Sequence, residues 1–147
     1  MPDRETLERV EDDKRAGKSP STQAGEFVRE EIHHVRKGKH GARSPQQAIA
    51  IGLSKARRAG VKLAQPKGSS SLRKKAEQDT AASKKRNGRT KTSAKRSRAV
   101  EGALKREPKS TASHKALSRQ AKESAATRGK QNRRQASLKA ARTRKAS

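Results

Sequence analysis

Cysteine, tryptophan and tyrosine are absent from this 147-residue chain, and Phe27 is its only aromatic residue. The missing cysteine excludes a disulfide scaffold, a thiolate metal site and a cysteine nucleophile. With no aromatic side chain after position 27, the rest of the chain has no means of stacking on unpaired bases. Long apolar runs are missing too, and none approaches the roughly 18 residues of a membrane span. The N-terminus is acidic at Asp3, Glu5 and Glu8 and lacks a secretory-signal pattern, so a cytoplasmic location is expected. Apolar residues make up 27% of the chain, against roughly 45–50% in globular domains, which excludes a large core along the whole length.

Acidic residues are scarce as well. The 14 Asp and Glu face 40 Lys and Arg, for a formal net charge of +26, and a charge of that size selects polyanions as partners. Its distribution is uneven. Residues 1–66 hold 14 basic and 9 acidic residues, whereas residues 67–147 hold 26 basic and 5 acidic. After residue 66 the large apolar residues are only Leu72, Val100, Leu104, Leu117 and Leu138. Five such side chains do not offset the ordering entropy of so long a segment. Residues 67–147 are therefore expected to be a Lys/Arg/Ala/Ser-rich tail, largely disordered when free. Its pieces 97–106, 113–119 and 136–142 carry Ala and Leu at helical spacing and are expected to form transient helices on a phosphate backbone.

The first 66 residues read as a small helical head. Ala24, Phe27, Val28, Ile32 and Val35 repeat at the spacing of one helix face, which predicts a helix from Ser21 to Lys37. Ser21 or Thr22 is its candidate cap after the Ser19-Pro20 break, and Gly38 suits the position just past its end. A second helix is predicted from Pro45 to about Ala59, with Ser44 as N-cap, Pro45 at N1 and Gln47 completing a capping box. Ala48, Ile49, Gly52, Leu53 and Ala56 form its buried stripe, and Gly60 ends it. The short link between them makes the pair a helical hairpin. Residues 1–17 are expected to form a weaker acidic helix with Leu7 and Val10 on one side, and residues 18–66 the hairpin domain. A core of about ten apolar side chains is marginal for some 60 residues. A homodimer through the hairpin, with Ile51 off the stripe as a contact, is one way to complete it.

Two groups of residues carry candidate chemistry. On the second helix Gln47, Ser54, Arg57 and Arg58 lie opposite the stripe, where Gln and Arg are equipped to meet base edges or phosphates; the plain reading is the wet side of an amphipathic helix. Lys39, Arg43, Lys55 and Lys62 complete the head's candidate nucleic-acid contacts. Those of the tail are Lys84, Lys85, Arg86, Lys95, Arg96, Arg98, Arg133, Arg134, Arg142 and Arg144. Glu31 falls among the apolar positions of its helix, where a buried carboxylate needs a cationic partner, with Arg43 or Lys55 as the candidates. His33, His34 and His40 raise metal ligation, but adjacent histidines on one helix point about 100° apart and no cysteine assists, so no metal is expected. No phosphate-binding Gly-rich loop, His-Glu-x-x-His or Gly-x-Ser-x-Gly motif is present. Neither enzyme activity nor a cofactor nor a small-molecule substrate is expected.

The run from Lys18 to Val61, with its core Gly38-Lys-His-Gly-Ala-Arg-Ser-Pro-Gln-Gln-Ala-Ile-Ala-Ile-Gly-Leu-Ser-Lys-Ala-Arg-Arg-Ala-Gly-Val61, resembles a family of small basic bacterial proteins. That family is a domain of unknown function, some of whose members carry the labels DNA-binding or plasmid stabilization protein. The resemblance implies a bacterial origin and DNA as partner, and supplies no active site. The sequence thus describes a mostly α protein, a hairpin head of two to three helices followed by a long basic, largely disordered tail. The expected function is non-enzymatic, nucleoid-associated binding of duplex DNA by sequence-independent phosphate neutralisation. RNA or ribosome binding, and a protein-interaction module of a plasmid-maintenance or toxin–antitoxin system, are the alternatives. No membrane partner is expected, because the tail has no apolar helical face to insert.

Overall fold

The computed structural model describes residues 2–84 and 93–146. Among them are seven α-helices, in the order α1 (Arg4–Arg15), α2 (Pro20–Arg36), α3 (Pro45–Arg58), α4 (Ser70–Lys84), α5 (Ala94–Arg106), α6 (His114–Thr127) and α7 (Gly129–Ala146), with a 3-10 turn at Ser110–Ala112. The chain divides into two compact units, Met1–Ala112 and Ser113–Ser147.

The α2–α3 hairpin forms for the local reasons written in its sequence. Ser19, rather than Ser21 or Thr22, is the N-cap of α2. Its hydroxyl accepts from the Thr22 amide at 3.4 Å, and Pro20 occupies the first helical position. Ser44 Oγ accepts from the Gln47 amide at 3.2 Å, and Gln47 Oε1 accepts in return from the Arg43 amide at 2.6 Å, one residue earlier than a standard capping box would place it. Gly38 and Gly60 end the two helices at φ +75° and +94°, a region where a side chain is strained.

Packing rotates both helices relative to the apolar count. On α2, Ala24, Phe27 and Val35 are buried together with Glu30, Glu31 and His34, while Val28 and Ile32 are half-buried. On α3 the buried stripe is Ala48, Gly52 and Ala56, with Ile49, Leu53 and Ile51 half-buried. A Cβ on Gly52 would lie 2.7 Å from Val28 Cα, so the two backbones meet where no side chain fits. Phe27, Ala24, Ala56, Val61 and Val10 form one apolar cluster, and Val35, Ala42, Ala48 and Ala112 a second.

The first helix packs on α2. It buries Thr6, Val10 and Asp13 and leaves Leu7 exposed. Asp13 takes the Lys18 ammonium at 2.7 Å, and Arg9 reaches across to Glu26 at 2.6 Å.

The expectation of a long disordered tail is overturned. Residues 70–84, 94–106, 114–127 and 129–146 are helical. Two stretches of the supposed tail belong to the first unit. The α4 helix lies against α3, burying Ala76 and Asp79. Residues 104–112 strap the α2–α3 link, where the Gly41 amide donates to Leu104 O at 2.8 Å and the Ala42 amide to Pro108 O at 3.1 Å. Thr111 Oγ1 donates to Ala42 O at 2.9 Å, and Arg36 Nε to Ala112 O at 2.8 Å. Alanine is the physical reason that a count of large hydrophobes failed. Six of the ten buried apolar residues among those described are Ala24, Ala42, Ala48, Ala56, Ala76 and Ala112. Alanine is also the strongest helix former. Serines at the starts of the later helices supply caps, with Ser69, Ser93 and Ser113 accepting from the amides of Leu72, Arg96 and Ala116.

Candidate nucleic-acid interface

The candidate cations fall into three physical states. Some are paired with groups of the first unit. Lys55, on α3, is not a surface lysine: its ammonium lies 2.6 Å from Glu31 Oε2 and 3.1 Å from Glu30 Oε1, both carboxylates being almost fully buried on α2. Burial penalises the Lys55 charge, but contacts with Glu31 and Glu30 outweigh that and hold its amine above the ordinary lysine value. Of the two partners foreseen for Glu31, Lys55 is the one that meets it. Ser54 and Arg58, placed by the helical wheel on a wet face, both meet Asp79 of α4, with Arg58 Nε at 2.8 Å and Ser54 Oγ at 2.6 Å; Arg58 stays exposed, as expected, while Ser54 is half-buried. Lys75 completes that site at 3.0 Å. Burial works against the Asp79 charge, yet the bonds from Ser54, Lys75 and Arg58 hold its carboxyl below the ordinary range. Gln47 is engaged in capping α3, and Arg57 donates to Ala64 O at 3.2 Å.

A second set stays at the surface of the first unit. Arg43, Lys62 and Lys84 are exposed, as are Lys95, Arg96 and Arg98 on α5. Lys39 is exposed too, with its ammonium 3.0 Å from His34 Nε2 and 3.8 Å from Asp3. Lys85 and Arg86 lie outside the described residues.

The third set is on α7. This helix carries Lys130, Arg133, Arg134, Lys139, Arg142, Arg144 and Lys145 and no acid. Every residue from Gly129 to Lys145 is exposed. At 100° per residue, Lys130, Arg133, Arg134, Arg144 and Lys145 share an arc of about 120°, a stripe some 22 Å long at 1.5 Å per residue. The unit Ser113–Ser147 contains one acid, Glu123, against 11 Lys and Arg. The half-buried positions of α6 are Ala116, Leu117, Gln120, Ser124 and Ala125.

Beside Lys55 the first unit gathers a cluster that no single motif announces. Asp3 is bonded to His34 Nε2 at 3.0 Å, and its amide donates to Glu30 Oε2 at 3.1 Å. The bond from His34 holds the Asp3 carboxyl below the usual carboxylate range. His40, in the α2–α3 link, lies with Nε2 3.0 Å from Glu31 Oε1 and Nδ1 2.9 Å from Gly41 O. His33 is exposed and outside the cluster. The 100° argument holds for His33 and His34, but it misses His40, which the link folds back onto α2.

Among known proteins, the model of a family of unknown function (DUF6496) matches residues 13–67, the stretch that holds Glu30, Glu31, His34, His40 and Lys55. No curated protein and no solved structure matches the chain. The family's description assigns no activity, so it lends the DNA-binding and plasmid-stabilization labels no support. No described helix is long and apolar enough to cross a membrane.

Proposed function

We propose that this chain is a non-enzymatic binder of duplex DNA that acts by sequence-independent neutralisation of the phosphate backbone. The observation that carries the reading is α7, 18 residues with seven cations, no acid and no buried face. Like charges three and four residues apart destabilise a helix, and a polyanion laid along them removes that penalty and releases its own counterions. The cations of α5 and the exposed Arg43, Lys62 and Lys84 extend the same chemistry.

Two further observations support a duplex backbone over base readout. Phe27 is fully buried, so no aromatic side chain is offered to unpaired bases. Of the residues equipped to read base edges, Gln47 and Arg58 are already bonded within the fold. A nucleoid location goes with this reading.

The test is a full-length variant in which Lys130, Arg133, Arg134 and Arg144 are all changed to Gln. Its affinity for duplex DNA of unrelated sequences should drop uniformly. The log–log salt slope should shrink by about 0.9 for each phosphate no longer engaged, or roughly 3 to 4 in all. An unchanged slope would refute the reading of α7. Preferential competition by structured RNA would move the same chemistry to an RNA partner.

A further inference from the structure

Glu31 and His34 on α2 and His40 in the α2–α3 link bring one ligand atom each to within 4.8 Å of one another. We propose that they form a divalent transition-metal site, suited to zinc, that fastens the α2–α3 link to α2.

The convergence of two histidines and a buried carboxylate carries the assignment. Gly41 O is an acceptor only, so the His40 Nδ1 at 2.9 Å must donate to it. That leaves His40 Nε2 3.0 Å from Glu31 Oε1, a spacing that suits either an imidazolium N–H on a carboxylate or two ligands sharing one cation. The second arrangement is the one proposed, and it requires His40 Nε2 to be free of its proton when the ion binds. An imidazole whose far N–H is fixed by a backbone carbonyl is also the usual outer-shell arrangement of a metal-bound histidine. In a tetrahedral zinc site with ligands at about 2.0–2.1 Å, neighbouring ligand atoms lie some 3.3 Å apart, close to the His40–Glu31 separation.

The site is closed, and the Lys39 ammonium 3.0 Å from His34 Nε2, which also meets Asp3 at 3.0 Å, is what an entering ion must compete with. The Glu31 and His34 side chains are 1% and 9% exposed, and that of His40 16%, so the ligands are held in place before an ion arrives. Lys55 sits on Glu31 Oε2 and leaves Oε1 for the ion. A second combination, Asp3, Glu30 and His34, is equally close, but it shares His34 and offers one histidine instead of two. The two-histidine set is the better match to zinc, with water completing the fourth position. All three ligands lie within one short stretch of the first unit, 31–40, so the role is to pin the link against which residues 104–112 are strapped.

The experiment uses the full chain, stripped with a chelator and titrated with cobalt(II) as a spectroscopic probe and with zinc. One equivalent of cobalt should give the intense visible absorption of a tetrahedral N/O site. Zinc at about a hundredfold over its dissociation constant should raise the melting temperature by on the order of 10 °C. His40→Ala should abolish both effects, and His33→Ala, at the exposed neighbour, should leave both intact. A spectrum of free aqueous cobalt with no zinc-dependent melting shift in the wild-type chain would overturn the proposal whatever the variants do. Undiminished binding by His40→Ala would overturn it as well, as would nuclear magnetic resonance showing protons on both His40 ring nitrogens in the presence of excess zinc.

Discussion

Changing Asp79 to Ala should detach α4 from the α2–α3 hairpin while leaving the hairpin folded. The Asp79 carboxylate is 4% exposed and accepts from Ser54, Arg58 and Lys75 at 2.6, 2.8 and 3.0 Å. The only other buried residue of α4 is Ala76. Each bond has a different worth. The Ser54 hydroxyl, half-buried, loses a charge-assisted bond of about 1.5–3 kcal/mol at most. Arg58 and Lys75 are each more than half exposed, so water replaces their partner and each contributes well under about 1 kcal/mol. The sum is about 2–3 kcal/mol. At 1.4 kcal/mol per factor of ten, amide hydrogen exchange across α4 should speed up by roughly 30- to 150-fold. Amides in the middle of α2 and α3 should change little. Glu77→Ala is the control, because Glu77 is exposed and among the described residues is bonded to Gln65, at 3.3 Å. Unchanged exchange in Asp79→Ala would refute the reasoning, since α4 would then be held by something other than this carboxylate.

Three further outcomes follow from the same geometry. Lys55→Met removes the ammonium that Glu30 and Glu31 share and leaves them, among the described residues, only His40 and the Asp3 amide within hydrogen-bond reach, so its thermal or urea unfolding should show a loss of up to about 3–5 kcal/mol; a loss below about 1 kcal/mol would mean that the lysine is not their counter-ion. Gly41→Ala places a Cβ against the Glu107 carbonyl of the backbone, so residues 104–112 must move, and the Gly41 and Ala42 positions should lose their exchange protection while α2 keeps its own. Asp79 is held below its ordinary 3.8, so on acidification the unfolded chain takes up this proton first and the folded state loses stability as pH falls past about 4. In Asp79→Ala the acid side of the stability–pH profile should be flatter, and identical profiles would contradict the assignment.

The hairpin was legible because its signals are local. Ser44-Pro45, Gly38 and Gly60 mark helix ends through capping and left-handed backbone, and Gly52 marks the close approach of α3 to α2. Glu31 on the apolar face of α2 gave notice of a buried ion pair, and Lys55 is its partner. The rest was hidden for two reasons. The core beyond Phe27 and Val35 is largely alanine, which a count of large side chains passes over, and so α4 and the 104–112 segment looked too polar to pack. Tertiary bonds also consume residues that a helical wheel assigns to solvent. Ser54 looks wet until Asp79 arrives from 25 residues away and half-buries it, and Arg58, though still exposed, is bonded to the same carboxylate. That acid is one of five after residue 66, and its rarity in so basic a stretch was the available sign that something basic is met there. His40 is similar, because the fold of the link and not its spacing brings it to Glu31.

The most direct test of phosphate neutralisation as the function is the salt dependence of duplex DNA binding by the full-length protein, measured at equilibrium from low to above physiological salt on two unrelated sequences. Engagement of about eight phosphates predicts a slope of log Kobs against log salt near −7, the same for both sequences. A shallow slope, or no binding at physiological salt, would contradict the account.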